Sequence, residues 1–181
     1  VELPKQSETT LIRVEDTRYA LAFVSAAWFD HPAKKLTTIG ITGTKGKTTT
    51  TYLVKSILEN AGRKVGLVGT IEIVIGDTHI HAVNTTPESY LLQEYFAKMV
   101  ESGCDTVVME VSSQALMLHR TQGFVFDFGI FTNLEPDHIG PNEHGSFEEY
   151  AHCKSLLFQQ CRVGIANCDD VHWQLITKEH T

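Results

Sequence analysis

The stretch TIGITGTKGKTT, residues 38–49, decides the fold of this chain. A short apolar run leads into a glycine-rich turn, and the turn leads into a helical pattern. Glycines let backbone N–H groups surround an anion closely, and the N-terminus of the following helix adds a partial positive charge. The stretch therefore predicts a phosphate-binding loop between a strand and a helix.

The last residues of this loop carry the side chains that nucleotide phosphates require. Lys47 is placed to reach the β- and γ-phosphates, and the Thr48 hydroxyl is placed to bind Mg²⁺. The usual spacing is not kept, because Ile41 stands where the first glycine is expected, with Gly40 and Gly43 on either side. The alternative interpretation is an ordinary strand–turn–helix corner with a surface lysine.

The composition is that of an ordinary globular protein. The 181 residues are 42% hydrophobic and 20% charged, enough for one domain with a core. The formal net charge of -7 argues against a nucleic-acid partner, so an anionic substrate needs local positive charge and a metal ion. Four cysteines without a C-x-x-C pair indicate reduced thiols in a cytoplasmic protein. No apolar run reaches transmembrane length, so we expect no membrane insertion.

Strand and helix patterns alternate from residue 36 onward, which predicts an α/β fold with a mostly parallel sheet flanked by helices. The predicted strands are residues 36–42, 65–70, 106–110, 126–132 and 163–167, with a hairpin of residues 71–75 and 78–83. The predicted helices are residues 48–60, 86–103, 146–160 and a last one from Asp169.

Two of these helices begin at recognisable caps. Thr86 is predicted as an N-cap with Pro87 in the first helical position, and Ser146 with Glu149 is predicted as a capping box. Earlier in the chain, residues 19–29 predict a helix that is apolar on most sides and therefore packs on something larger.

Three predicted strands end in reactive residues, and ligands of such sheets bind beyond the carboxyl ends of the strands. The first strand ends in the phosphate loop, the second at Glu110 and the third in residues 132–138. A carboxylate that closes an apolar strand is costly unless it is paired or binds a metal, and Mg²⁺ is the natural partner beside a phosphate loop. The alternatives are a solvated strand end or a salt bridge for Glu110, and a solvated loop residue for His138.

Taken together, the motifs resemble the Mur ligase family, and within it the MurE type. The matching segments, in family order, are residues 39–49, 84–87, 109–113, 119–120, 131–134, 137–138, 144–145 and 150–158. The resemblance implies a P-loop-like central domain at residues 36–181, incomplete at its C-terminal end, preceded by the end of a UDP-binding domain and a linker at residues 1–35. It also implies that a C-terminal domain is absent, so we expect the chain by itself not to complete ligation.

The family's activity implies the partners and cofactors. They are ATP, Mg²⁺, a UDP-N-acetylmuramoyl-dipeptide and a free amino acid, diaminopimelate or lysine, in the bacterial cytoplasm, and we expect a monomer. The reaction implied is an ATP-dependent amide ligation of peptidoglycan precursor synthesis that proceeds through an acyl phosphate.

The resemblance also implies residue roles. ATP binding falls to Gly43, Thr44, Lys45, Gly46, Lys47, Thr48, Thr49, Asn133 and Asn167. The substrate is held by Thr85, Thr86, Ser112 and Arg120, and the metal by Thr48, Glu110, His138 and a carbamylated Lys154. The catalytic residues are Lys47, Lys154 and His138.

Lys154 also stands out by position, because it lies within a largely apolar stripe of its predicted helix. The alternative is a stem that packs while the ammonium group reaches water. Two departures from the family pattern, Gln114 and Leu118, put one substrate contact in doubt. Two other functions stay open: a folylpolyglutamate synthetase-like ligase, and a nucleotide-binding module without ligase activity.

Overall fold

The computed structural model describes residues 11–137, 139–140, 144–178 and 180. Its helices are α1 (Thr17–Trp28), α2 (Lys47–Asn60), α3 (Ser89–Glu101), α4 (Ser113–Met117), α5 (Phe147–Gln159) and α6 (Trp173–Thr177). Its strands are β1 (Thr37–Thr42), β2 (Val65–Val68), β3 (Glu72–Ile75), β4 (Thr78–His81), β5 (Thr106–Glu110), β6 (Phe126–Phe131) and β7 (Cys161–Ala166).

The seven strands form one sheet in the order β4-β3-β2-β5-β1-β6-β7. The five strands from β2 to β7 in that order pair in parallel, and β3 and β4 add an antiparallel hairpin at one edge. The predicted fold class and the predicted hairpin are confirmed. The short helix α4 was not predicted, because five residues are too few to show helical periodicity.

Strand alternation divides the core between the two faces of the sheet. Ile39 and Ile41 of β1 and Val108 of β5 form a small cluster with α2, whereas Val107 and Met109 belong to a larger cluster with α3 and α5. Because side chains alternate along a strand, the last residue of β5 shares the face of Val108. This places the Glu110 carboxylate on the side where α2 begins.

Two predicted helix caps differ from the structure. Helix α3 begins at Ser89, so the predicted cap at Thr86 is wrong: its hydroxyl donates to the Glu110 carbonyl (2.9 Å) and accepts from the Ser112 N–H (3.1 Å). Ser146 does cap α5, accepting from the Glu149 N–H, but the Glu149 carboxylate takes the N–H of Gly145 instead of completing the predicted box. The last helix also begins later than predicted, at Trp173.

Helix α1 packs against α3 through a face of small residues. Ala22 and Ala26 are buried there. The chain turns beside them at Gly123, whose φ of 92° favours glycine and whose Cβ would lie 2.7 Å from the Ala22 carbonyl oxygen. The helix does pack on α3, but the large apolar side chains that led to this prediction, such as Phe23 and Trp28, are exposed. Among the described residues, no helix is long and apolar enough to cross a membrane.

Candidate functional site

The glycine-rich loop is shaped by backbone contacts with the end of β6. A Cβ on Gly43 would overlap the Thr132 hydroxyl, and Gly46 starts α2 with a φ of 80°. Asn133 fixes the loop from the side: its Oδ1 accepts from the Lys45 N–H (2.8 Å), and its Nδ2 donates to the Lys45 carbonyl (3.0 Å). The loop is therefore a preformed turn, and the amide of Asn133 is part of its scaffold.

Two lysines meet at one carbonyl of this loop. Lys47 Nζ donates to the carbonyls of Gly43 (2.8 Å) and Thr44 (3.0 Å), and Lys154 Nζ donates to the same Gly43 oxygen (2.8 Å). Lys154 is 1% exposed and its ammonium group lies 4.4 Å from the centre of the Tyr150 ring. We call Gly43, Lys47 and Lys154 the lysine corner.

Burial governs the protonation of the lysine corner. Burial and, to a lesser extent, the neighbouring charge of Lys47 lower the pKa of Lys154 to about 7, against the opposing effects of Asp137 and Cys153. Burial also lowers the pKa of Lys47, against the opposing effects of Glu110 and Asp137. Among the described residues, neither ammonium group forms an ion pair. The corner therefore favours an incoming anion, or the loss of one proton.

Glu110 closes β5 beside the first turn of α2 and is 1% exposed. Its carboxylate accepts from the Thr48 hydroxyl (3.0 Å), the Thr70 N–H (2.9 Å) and the Thr70 hydroxyl (3.1 Å). A Cβ on Gly69 would lie 2.7 Å from its Oε1, so the chain can pass this close only as glycine. These contacts fix the carboxylate beside the first turn of α2.

A pocket of about 490 Å³ opens next to the loop. Polar and apolar atoms line it in equal measure, and they come from the start of α2, the residues before α3, helix α4 with the residues on either side of it, and the segment before α5. The lining residues are Lys47, Asn84, Thr85, Thr86, Ser112, Ser113, Gln114, Met117, Arg120 and His144. The pocket thus combines the four residues predicted to hold a substrate with the loop lysine predicted to reach the phosphates.

Arg120 is held at the pocket wall by two contacts. Its Nη1 donates to the Thr86 carbonyl (3.1 Å), and its Nη2 pairs with Glu88 Oε1 (2.7 Å). The other carboxylate oxygen of Glu88 pairs with Arg18 of α1 (3.1 Å). We call Thr86, Glu88 and Arg120 the arginine wall. Sequence reasoning missed Glu88 and Thr70, although Glu88 directly follows the quoted residues 84–87.

Several predicted residues lie elsewhere or serve the scaffold. Lys45 is exposed and pairs with Glu135, and Thr49 is exposed on α2. Asn167 Nδ2 donates to the Thr132 carbonyl (2.9 Å), and the Thr44 hydroxyl contacts the Tyr150 hydroxyl (3.1 Å). His138 lies outside the described residues. Among the described residues, no group of three or more His, Cys, Asp or Glu side chains is arranged to hold a metal ion.

Comparison with known proteins gives a consistent result. Residues 41–181 match the family model described as Mur ligase middle domain. A UDP-N-acetylmuramoyl-L-alanyl-D-glutamate–2,6-diaminopimelate ligase of Clostridium acetobutylicum is 48% identical over 179 residues, 98% of this chain and 37% of that protein. The enzyme of the same name from Caldanaerobacter subterraneus is 51% identical over 162 residues, 89% of this chain and 33% of that protein. The chain thus spans about a third of the length of these curated relatives.

Solved structures agree on the fold. A UDP-N-acetylmuramoyl-L-alanyl-D-glutamate–2,6-diaminopimelate ligase superposes with a TM-score of 0.79 at 27% identity, covering 91% of this chain and 34% of that one. A Mycobacterium tuberculosis folylpolyglutamate synthase complexed with ADP superposes with a TM-score of 0.68 at 13% identity, covering 93% of this chain and 45% of that one. The second likeness concerns the fold alone.

Proposed function

This chain belongs to the Mur ligase family, and on that premise we propose that it is the ATP-binding part of a ligase that adds diaminopimelate to UDP-N-acetylmuramoyl-L-alanyl-D-glutamate. The curated relatives at 48% and 51% identity are named for that reaction. The amino acid was left open between diaminopimelate and lysine by the sequence, and these names favour diaminopimelate.

One observation carries the proposal: Lys47 belongs to the phosphate loop and also lines the substrate pocket. In the proposed reaction the D-glutamate carboxylate attacks the γ-phosphorus of ATP, which gives ADP and an acyl phosphate. The amine of the amino acid then attacks the acyl carbon, and phosphate leaves. A lysine that borders both the phosphate loop and the pocket would lie on the path of the phosphoryl group from ATP to the acceptor. Its positive charge would stabilise that group during transfer.

The pocket residues orient the acceptor. The arginine wall offers a guanidinium that suits a carboxylate or phosphate, and hydroxyl groups of Thr85 and Ser112 line the same space. Positioning of this kind converts an encounter between two bound substrates into an effectively intramolecular step.

Thr48 and Glu110 fit a magnesium ion. Their side-chain oxygens lie 3.0 Å apart. A hydroxyl and a carboxylate beside a phosphate loop are the hard oxygen ligands that Mg²⁺ takes, so these two residues would hold the ion together with phosphate oxygens and water. When bound, the ion neutralises charge on the phosphates. The assignment of His138 as a further ligand stays a prediction.

Lys154 suits the proposed carbamate. A neutral amine adds CO₂ and releases one proton, and a pKa of about 7 makes that amine abundant at neutral pH. NMR of the protein in ¹³C-bicarbonate should show a carbamate signal that Lys154→Met removes and Lys45→Met keeps. A signal that survives in Lys154→Met would exclude this site.

The function is tested with the full-length gene product. We expect ADP release that requires both UDP-N-acetylmuramoyl-L-alanyl-D-glutamate and diaminopimelate, and a tripeptide product detected by mass spectrometry. Replacing diaminopimelate with lysine tests the choice of amino acid, and a reduced pteroate with glutamate tests the folate alternative. ADP release supported only by the folate pair, or ATP binding without turnover on any pair, would contradict the proposal.

A further inference from the structure

The arginine wall contains a feature that substrate contact alone does not explain. Arg120 lines the pocket, yet its side chain is only 13% exposed, and two of its nitrogens are already engaged by Thr86 and Glu88. Its Nε–H is buried and has no hydrogen-bond partner among the described residues. An unsatisfied buried N–H on a guanidinium is costly, so the group is held ready for an acceptor that arrives with a ligand.

The holding contact comes from Glu88. Without it, Arg120 would keep only one neutral carbonyl acceptor, and a guanidinium with one anchor can rotate about its long side chain. The Glu88–Arg120 pair is charge-assisted and 2.7 Å long, and it fixes the Nη2 end of the guanidinium.

Glu88 is itself held from outside the central sheet. Arg18 of α1 pairs with its second oxygen at 3.1 Å, with side-chain exposures of 51% for Arg18 and 44% for Glu88. Each carboxylate oxygen of Glu88 thus pairs with a different arginine. Glu88 therefore does not form a bidentate ion pair with Arg120. An exposed pair of this kind is weak, so its effect on Arg120 is a small adjustment.

We propose that Glu88 is the positioning residue of the pocket: it holds the Arg120 guanidinium for a carboxylate or phosphate of the substrate, and Arg18 on α1 holds Glu88. Glu88 acts through Arg120 and does not itself touch the substrate. This inference rests on the proposed function for the identity of the anion, but the Glu88–Arg120 contact stands on geometry alone.

The kinetic test compares Glu88→Ala, Glu88→Gln and Arg18→Met in the full-length gene product. We expect Glu88→Ala to raise the KM for the UDP-linked dipeptide about tenfold, with kcat and the KM for ATP within about twofold. Glu88→Gln should recover part of the loss, because its amide oxygen still accepts from Arg120, and Arg18→Met should raise the same KM about twofold. Glu94→Gln is the matched control, since Glu94 pairs with Lys98 on the same helix.

A second measurement keeps the inference separate from the proposed function. NMR of the arginine Nε–H groups should show slow solvent exchange for Arg120 in the wild type and clearly faster exchange in Glu88→Ala, whichever substrate the enzyme uses. Unchanged exchange would overturn the inference. So would a wild-type KM in Glu88→Ala, or equal increases in both KM values that follow a loss of thermal stability. Absence of turnover in the wild type would instead contradict the proposed function, and the exchange rates would then decide the inference.

Discussion

The lysine corner and the arginine wall border the same pocket but are built in opposite ways. At the corner, the buried ammonium group of Lys154 and the half-buried one of Lys47 share the Gly43 carbonyl and form no ion pair among the described residues. At the wall, one guanidinium is paired with Glu88 and keeps a fixed orientation. The corner therefore holds unfavourable charge that an anion or the loss of a proton can relieve, whereas the guanidinium at the wall has a carboxylate partner that fixes its orientation.

This difference explains the residue types. A lysine changes its pKa readily on burial, so the corner can exist with one neutral amine, whereas an arginine stays charged at any pH at which the protein is folded. Under the proposed function, the step that depends on charge would occur at the corner, and the substrate would be oriented by the residue whose charge does not vary.

The largest effect should follow from breaking the corner. Lys47→Ala should weaken ATP binding about 100-fold, because the phosphates lose a direct charge-assisted contact in a partly buried site. Isothermal titration with Mg²⁺ present measures this. Lys45→Ala is the matched control: Lys45 lies two residues away, is exposed and pairs with Glu135, so its loss should change the affinity less than about threefold. Equal losses in both variants would remove the distinction.

Lys154 should make stability depend on pH in a way that Arg120 does not. The pKa of Lys154 is about 7 in the folded state and about 10.4 in the unfolded state, so between these values the unfolded state binds more protons. Stability from this group is therefore lost as the pH falls from about 10 to about 7, by up to about 1.4 kcal/mol per pH unit. Urea unfolding in CO₂-free buffer at pH 7.5 and pH 9.5 should show this slope in the wild type.

Two variants test whether Lys154 causes this dependence of the unfolding free energy on pH. Lys154→Met should flatten it, and Arg120→Met should leave it unchanged. A slope that persists in Lys154→Met would mean that the corner is not the source of the pH dependence.

A smaller effect should follow from loosening the loop without removing a charge. Asn133→Ala removes both amide contacts to Lys45, so the loop loses its fixed shape and nucleotide affinity should fall about tenfold. Asn60→Ala is a suitable control, because Asn60 bonds only the Ser56 carbonyl on α2. Calorimetry that finds the same affinity for Asn133→Ala and the wild type would show that the loop holds its shape by other means.

The smallest effect should follow from a substitution outside both the lysine corner and the arginine wall. Ser146→Ala removes the N-cap of α5 and should cost about 1 kcal/mol of unfolding free energy. Because α5 carries Lys154 eight residues further on, unchanged ATP affinity in this variant would show that the corner tolerates fraying of the helix start. A loss of affinity comparable to that of Asn133→Ala would show that it does not.

Much of the fold was predictable from local patterns. The parallel strands are visible in the sequence as short apolar runs, and the glycine-rich turn marks the junction of β1 and α2. Both signals lie within a few consecutive residues, so no knowledge of distant contacts is needed to find them. The start of α3 was not predictable in this way. Thr86 has the side chain of a cap, but burial beside the end of β5 gives its hydroxyl better partners at Glu110 and Ser112.

In the candidate site, too, the predictable residues are those that belong to a local sequence motif. Lys47, Thr48 and Glu110 could be predicted because the phosphate loop and an acidic strand end are each visible within a few residues. Thr70 and Glu88 could not, since their contacts join segments that are distant in sequence: Thr70 is 40 residues from Glu110, and Arg18 is 70 residues from Glu88.

The strand order also sets the distance between two parts of the candidate site. Between the end of β5, where Glu110 lies, and the end of β7, which Asn167 follows, the sheet crosses β1 and β6. Three strand spacings of about 4.8 Å amount to roughly 14 Å. A ligand that contacts both ends must be extended across the strands, so adenosine and inorganic triphosphate should each bind far more weakly than the intact nucleotide, whose linkage makes the second contact intramolecular. If the proposed nucleotide contact at Asn167 is made, the sheet selects its ligand by length as well as by charge.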